Sequence, residues 1–388
     1  MRVKARNDRK NFMPKKVALI LVNYKDYAKK YSADCLASLR KQDYTGEIKI
    51  FIVDNETSEE SYNYLKQVAP EAEIIRNKNN DGFAKGNNDA MKIALERGFE
   101  YIILFNFDTV VAADCVKKMV EMAEGGNSIG AVQAPSASSG RAYIGAVQAR
   151  LMLYDKDNLV LTPPYPAGGV INSLGNVTHF LGFGYAGGYG EKYAPPCRAE
   201  EICYPSGAAV LFKAEVLKKI GLFDEEFWMY NEDQDLGWRV WLSGASCVLA
   251  PDAVVYHKYE FSRSIKKYYF MDRNRVVAIL KNYRLATLIL ILPALILMEI
   301  GLIFFSFKNG WFYEKMKVYS YFLNLNNWRR IIAERKKIQS SRTVGDRRIV
   351  KMFSGKIWYQ EIGGGARLKV ANIIFNIYWE LIRSLIWW

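Results

Sequence analysis

Histidine is nearly absent: His179 and His257 are the only two in 388 residues. The five cysteines (Cys35, Cys115, Cys197, Cys203, Cys247) are scattered, odd in number and without a Cys-x-x-Cys pair. This argues against a disulfide framework or a zinc site and fits a reducing compartment. A metal site must therefore lean on carboxylates, which suits Mg2+ or Mn2+. The first sixteen residues lack an apolar stretch, so no secretory leader is expected in them. Negative charge is scarce at both ends. Residues 1–16 carry a net +6 and 281–388 a net +12 of the total +14, which leaves 17–280 at −4. Basic flanks attract nucleic acid or anionic lipid. The apolar content of the C-terminal flank favours lipid.

Half of the residues are hydrophobic, enough for a sizeable core. Apolar runs at Val17–Asn23, Ile48–Asp54, Glu73–Arg76 and Tyr101–Asp108 read as strands. Helix-length segments at 26–42, 57–69, 84–97 and 112–124 separate them. That alternation implies a parallel sheet covered on both faces. Ligands in such sheets sit beyond the carboxyl ends of the strands, so Asn23, Asp54 and Asp108 should converge on one crevice.

Residues 125–205 are rich in Gly, Pro, Ser and Ala and read as loops and short strands. Ile-Gly-Ala-Val-Gln-Ala occurs twice, at 129–134 and 144–149. The second copy continues into Arg150-Leu-Met-Leu-Tyr154 and is the expected strand. Ala208–Phe212 and 214–220 read as a further strand and helix. Residues 285–307 are almost all apolar and long enough to cross a bilayer. Pro293 and Glu299 interrupt them, however, and residues 308–369 carry fifteen Lys/Arg against four Asp/Glu. A single crossing from a cytoplasmic domain would put that charge outside, against the positive-inside tendency. In-plane or re-entrant association is therefore preferred to a span or a buried helix. The tail 370–388, ending in two tryptophans, reads as an interfacial helix. The expected divisions are a basic tail (1–16), a catalytic domain (17–283) and a membrane-associated helical region (284–388).

The densest feature is Met229-Tyr-Asn-Glu-Asp-Gln-Asp-Leu-Gly-Trp-Arg239. Three carboxylates lie among aromatics, which suggests a pocket with raised pKa values. The plain alternative is a helix start, where acids favour the dipole.

The ordered set Leu21-Val-Asn-Tyr24, Val53-Asp-Asn55, Asn80–Asn88, Leu104-Phe-Asn-Phe-Asp108, Pro205–Ala209, Asn231–Leu236 and His257 resembles the family 2 glycosyltransferases, of the rhamnosyltransferase-like type. The resemblance implies the GT-A nucleotide-diphospho-sugar transferase fold, an α/β architecture with a Rossmann-like mixed sheet and helices on both faces. Here a C-terminal helical, membrane-associating region follows it. It also implies a nucleoside-diphosphate sugar donor, a lipid-linked or glycan acceptor and a divalent cation. Asp54 would read the base, with helix capping as the plain alternative. Asn80, Gly82, Lys85 and Asn88 would belong to the donor loop, though an Asn-Asp-Gly turn fits as well. Asn106 replaces the first acid of an Asp-x-Asp motif and would touch ribose or phosphate. Asp108 and His257 would hold the cation, although a lone His is more often structural. Asp233 would be the general base of an inverting transfer, and Glu232 would hold sugar hydroxyls. Ser206 and Gly207 would flank the sugar, and Asn23 would lie beside them at the crevice. Asp235 and Arg239 are four apart and can pair on a helix. His179 receives no role.

Two other classes compete. A processive polysaccharide synthase would carry Gln-x-x-Arg-Trp, which Asn326-Asn-Trp-Arg329 does not match. A basic nucleic-acid-binding protein would not place its basic residues around an apolar, membrane-like segment. The expectation is a non-processive enzyme, peripheral or monotopic at the cytoplasmic face of the cell membrane, with no nucleic-acid partner.

Overall fold

Strand β1 (Val17–Asn23) is apolar up to its last residue, Asn23, and almost wholly buried, as a strand inside a parallel sheet must be. It pairs in parallel with β2 (Ile48–Asp54), which pairs with β3 (Glu73–Arg76). On its other side β1 meets β4 (Tyr101–Phe105), also in parallel. The crossovers are α1 (Tyr27–Leu39), α2 (Glu59–Val68) and α3 (Gly82–Glu96). Ser58 caps α2 by accepting from Ser61 N, and Glu59 and Glu60 occupy the first turn, where the helix dipole favours them. The computed structural model describes residues 14–56, 58–125, 143–165, 167–195, 197–259, 265–357 and 366–388.

The fourth strand stops at Phe105, short of the expected Asp108. Asn106 N donates to Ala208 O, and Asn106 O accepts from Thr109 N and Thr109 Oγ1. That turn lifts Asn106 and Asp108 out of the sheet before β5 (Thr109–Val111) and α4 (Cys115–Ala123). The second copy of the repeated hexapeptide forms β6 (Ile144–Leu153), as expected; the first lies outside the described residues. From the Gly-rich segment come β7 (Ile171–Ser173), β8 (Asn176–Thr178) and β9 (Gly184–Ala186). Next are β10 (Ala209–Lys213), α5 (Ala214–Ile220), α6 (Glu232–Leu242) and β11 (Ser246–His257).

The sheet order is β3-β2-β1-β4-β10-β6-β11-β5, with β7 beside β6. β10 runs antiparallel to both neighbours and β5 antiparallel to β11, so the sheet is mixed. Alternate strand residues feed two apolar layers. One holds Ile20, Val53, Leu104 and Phe212 with α3 and α6; the other holds Leu19, Ile52, Ile103 and Leu211 with α1 and α4.

The first layer continues into the C-terminal helices through Ile291, Met298, Phe375 and Trp379. These helices are α7 (Ile265–Asn282), α8 (Leu285–Lys308), α9 (Phe312–Leu323), α10 (Leu325–Ser341), α11 (Asp346–Val350) and α12 (Ala366–Leu385). Among the described residues α8 is the one helix long and apolar enough to cross a membrane. It buries one stripe, Thr287, Ile291, Ala294, Met298, Leu302 and Ser306. Its other face exposes Leu285, Ile289, Ile296, Phe304 and Phe307.

Candidate active site

Parallel register sets Asn23 beside Asp54 at the carboxyl ends of β1 and β2. Both are fully buried. Asp54 Oδ1 accepts from Asn23 Nδ2 (2.9 Å), Ser61 Oγ (3.0 Å) and Glu56 N (3.2 Å). Asp54 Oδ2 has no hydrogen-bond partner. The carboxylate is thus gripped by one oxygen and offers the other. Asn23 is wholly spent inside the protein, since its Oδ1 accepts from Ala28 N at 2.9 Å. It orients Asp54.

Asp108, in the turn before β5, and His257, the last residue of β11, come together from points far apart in sequence. His257 Nε2 lies 3.3 Å from Asp108 Oδ1, yet that oxygen makes no hydrogen bond. On the other edge of the ring, His257 Nδ1 lies 3.0 Å from Asn172 Oδ1. In the tautomer where Nδ1–H donates to Asn172, Nε2 turns a lone pair towards a carboxylate oxygen. Two facing acceptors fit a cation between them, with the outer amide fixing the ring as metal-bound histidines require. The donor set therefore fits a divalent ion bound through two protein groups. No cluster of three or more His, Cys, Asp or Glu side chains with metal-site spacing occurs among the described residues, so the remaining positions must go to phosphate or water. For Mg2+ that is the usual arrangement.

The acidic motif does begin a helix: Glu232, Asp233 and Asp235 occupy the first turn of α6. The three carboxylates have different surroundings. Asp235 is buried and paired, accepting from Arg239 Nε (2.9 Å) and Asn282 Nδ2 (2.9 Å), with Lys281 Nζ 3.1 Å away. Burial alone would raise its pKa, but Lys281 and Arg239 outweigh that and lower it. Glu232 is buried with Oε2 unpartnered. Burial, then the neighbouring Asp233, pushes its carboxyl well above the usual range. Asp233 is partly exposed; burial pushes it up to about 6, against the lowering effect of N–H donation from Gly207 and Gln234. Gly207 N donates to Oδ2 at 3.1 Å and Gln234 N to Oδ1 at 2.8 Å. Asp233 is therefore held by the backbone of the Ser206–Ala208 segment, next to the turn that carries Asp108.

The approach to α6 is strained. Trp228, Tyr230 and Asn231 all have positive φ (59°, 67° and 63°) without being glycine. Such residues are rare and cluster where function demands them. Asn274 of α7 holds the strained loop by donating from Nδ2 to the carbonyls of Phe227 (2.9 Å), Met229 (2.9 Å) and Tyr230 (2.7 Å).

The expected donor-loop residues have protein partners. Gly82 has φ +88° and its missing Cβ would lie 2.4 Å from Trp228 O, so this glycine admits the strained loop rather than a ligand. Asn80 Oδ1 accepts from Gly82 N at 3.2 Å. Lys85 pairs with Asp89 at 2.8 Å. Asn88 donates to Phe223 O and accepts from Phe223 N, at 2.9 and 3.1 Å. Asn106 stands in the turn before Asp108. Ser206 is fixed through its N–H, which donates to Gln148 Oε1 at 2.7 Å. His179 is a neutral core residue, since burial pushes its pKa down to about 3. Gln148, Asn172 and Asn274 were missed by sequence reasoning. Only Gln148 left a signal, as the one polar residue of an apolar hexapeptide.

Residues 19–221, a little over half of the chain, match the family model described as Glycosyl transferase family 2. The chain belongs to that family and is a glycosyltransferase. The match ends before α6, so Glu232, Asp233 and His257 lie beyond it. Among solved structures the chain is similar to a mannosyltransferase from Pyrobaculum calidifontis in complex with GDP-Man and Mn2+, at 15% identity over 69% of this chain and 64% of that one, TM-score 0.44. It is also similar to GalNAc-T7 with UDP, GalNAc and Mn2+, at 13% identity over 68% of this chain and 47% of the other, TM-score 0.45. A third is S. aureus TarS 1-349 in complex with UDP, at 15% identity over 95% of this chain and 90% of the other, TM-score 0.47. The chain thus spans less than two thirds of the first two proteins. No curated protein matches it in sequence.

Proposed function

We propose that the enzyme is an inverting, non-processive transferase that moves one sugar from a nucleoside diphosphate to a lipid-linked or glycan acceptor at a membrane surface. One observation carries the reading. Seven buried side-chain polar atoms lack a partner among the described residues, and the carboxylate oxygens among them belong to Asp54, Asp108 and Glu232. Buried acceptors without donors are costly, and a bound ligand that donates to them or neutralises them removes the cost.

Each side chain then has a task. Asp54 Oδ2 accepts from an N–H of the base. Asp108 and His257 would hold Mg2+ or Mn2+, whose contribution there is to neutralise charge on the departing diphosphate. Asp233, with a pKa brought near neutrality, takes the proton of the acceptor hydroxyl as it attacks the anomeric carbon opposite the leaving group. Glu232, kept protonated by burial, donates a hydrogen bond to a sugar hydroxyl. Single displacement inverts the anomeric configuration.

Membrane attachment in the plane of the surface is supported by α8 and α12. Glu299, midway along α8, is bound by Arg275 of α7 and by Lys315 Nζ (2.6 Å) and Tyr319 OH (3.0 Å) of α9. A crossing helix would carry that ionic cluster to the bilayer centre, at high cost. Lying flat, α8 keeps it against the protein and turns Phe304 and Phe307 outward with Ile373, Ile377 and Leu381 of α12 and Trp387 just after it.

A screen of nucleotide sugars, dTDP-rhamnose included, read by release of nucleoside diphosphate with and without EDTA, tests the proposal. Turnover of one donor that EDTA abolishes is the expected result. Release unaffected by EDTA would remove the cation from the reading, and no release with any donor would sink the transfer itself.

A further inference from the structure

Arg150 is an anomaly in β6. It is 3% exposed, in a strand whose other side chains, Gln148 apart, are apolar. Its Nε has no hydrogen-bond partner, and the guanidinium makes no ion pair with any described residue. Two tyrosines hold it in place: its Cζ lies 3.9 Å from the ring centre of Tyr193 and 5.6 Å from that of Tyr165. Cation–π attraction to the rings offsets part of the cost of burying the charge but gives Nε no acceptor.

Arg150 lines a cavity of about 400 Å3, together with Asp114, Lys118 and Asp252. The cavity is separate from the donor crevice. Arg150 pairs with Val254, three residues before the pairing of Leu153 with His257. At ~3.3 Å per strand residue it therefore lies roughly 10 Å back from the strand end. Asp252 sits exposed in the irregularity of β11 between Ala250 and Val254. Asp114 is buried and accepts from the Tyr165 hydroxyl.

The lining mixes cationic donors, of which Arg150 Nε is unspent, with carboxylate acceptors. An inorganic anion would meet Asp114 and Asp252, and a cation would meet Arg150 and Lys118. A hydroxyl both donates and accepts, so a vicinal pair of hydroxyls satisfies such a lining. Aromatic side chains beside it supply apolar surface for the C–H face of a sugar ring. We infer that this cavity is a saccharide-binding subsite, holding a unit of the acceptor glycan away from the donor crevice, with Arg150 as its principal donor and Asp252 as an acceptor at its mouth. The inference rests on the reading of the acceptor as a glycan.

The test uses the full chain on a surface printed with defined oligosaccharides. Wild-type protein is expected to be retained on at least one of them. Arg150→Met should weaken retention about tenfold or more, the scale of a lost hydrogen bond to a charged group. Asp252→Ala, a change at an exposed position, should weaken it with no change in melting temperature. Both variants should bind the nucleoside diphosphate found in the donor screen as tightly as the parent. Inorganic phosphate should not compete. Retention of no oligosaccharide, equal retention of the parent and both variants, or competition by phosphate overturns the inference. Failure of the donor screen alone, with Arg150-dependent retention intact, would count against the transfer reaction and leave the subsite standing.

Discussion

Asp233 and Glu232 are adjacent carboxylates with separate environments. Asp233 touches solvent and two backbone N–H groups, while Glu232 touches neither with its Oε2. Such a separation divides acid from base. Asp233→Asn should lower turnover by roughly 10²- to 10⁴-fold, the usual worth of a general base, and leave nucleotide affinity unchanged by calorimetry; near-normal turnover would remove Asp233 from that role. The pH profile follows from the same pKa. As the proposed base, Asp233 would work only when ionised, and burial pushes it up to about 6, so kcat/KM should rise with pH through that region and level off above it. Glu232 is held protonated by burial and by the neighbouring Asp233, so it adds no charge beside Asp233 on this limb, and Glu232→Gln should leave the limb in place while weakening sugar binding. A limb that stays at the ordinary carboxylate pKa would contradict the burial argument.

At the scale of elements, the unexpected dependence is of α6 on α7. The loop that carries the three positive-φ residues ahead of Glu232 is held through the carbonyls of Phe227, Met229 and Tyr230 by one Asn274 amide, from a helix about forty positions on. Removing it leaves carbonyls unpaired at a cost of about 1–3 kcal/mol and lets the loop relax. Asn274→Ala should lower the melting temperature. It should also reduce kcat by up to about 100-fold, because small displacements of a base are expensive, with a smaller effect on the donor KM. Equal loss in both constants would mean that α7 supports binding rather than the position of the base. The helices and strands themselves were largely legible beforehand, because apolar runs and their Asn or Asp ends mark parallel strands. The end of β4 was not, since the turn at Asn106 depends on Ala208, a residue distant in the chain.

For the whole molecule, the membrane proposal turns on how the C-terminal helices are joined to the sheet. One apolar layer runs unbroken from the sheet to α8 and α12. The outer faces of those helices therefore have a fixed relation to the crevice. Phe304→Ser with Phe307→Ser should reduce sedimentation with anionic liposomes by tenfold or more, since burying each ring contributes about 1.5–3 kcal/mol. Activity on a soluble acceptor should survive, because both rings are exposed and far along α8 from Glu299's ion pairs. Unchanged sedimentation would remove this face from the membrane reading. Raising salt should weaken the attachment of the parent, as the basic C-terminal region implies.

The alternation of strands and helices, and Asp54 and Asp108 as strand-end candidates, were legible in local pattern, from apolar runs and the polar residues that end them; Asp233 and His257 became candidates through the resemblance to a family. Tertiary structure decided what each polar side chain has left to give. Asn23, Lys85 and Asn88 look like ligands in sequence and are consumed by protein partners. Asp54, Asp108 and Glu232 keep a buried oxygen free, and Arg150 keeps its buried Nε without a partner. The physical reason is that hydrogen-bond capacity is a property of neighbours in space. Residues from β2, β5, β6, α7 and β11 are neighbours only once the sheet has closed the distances between them.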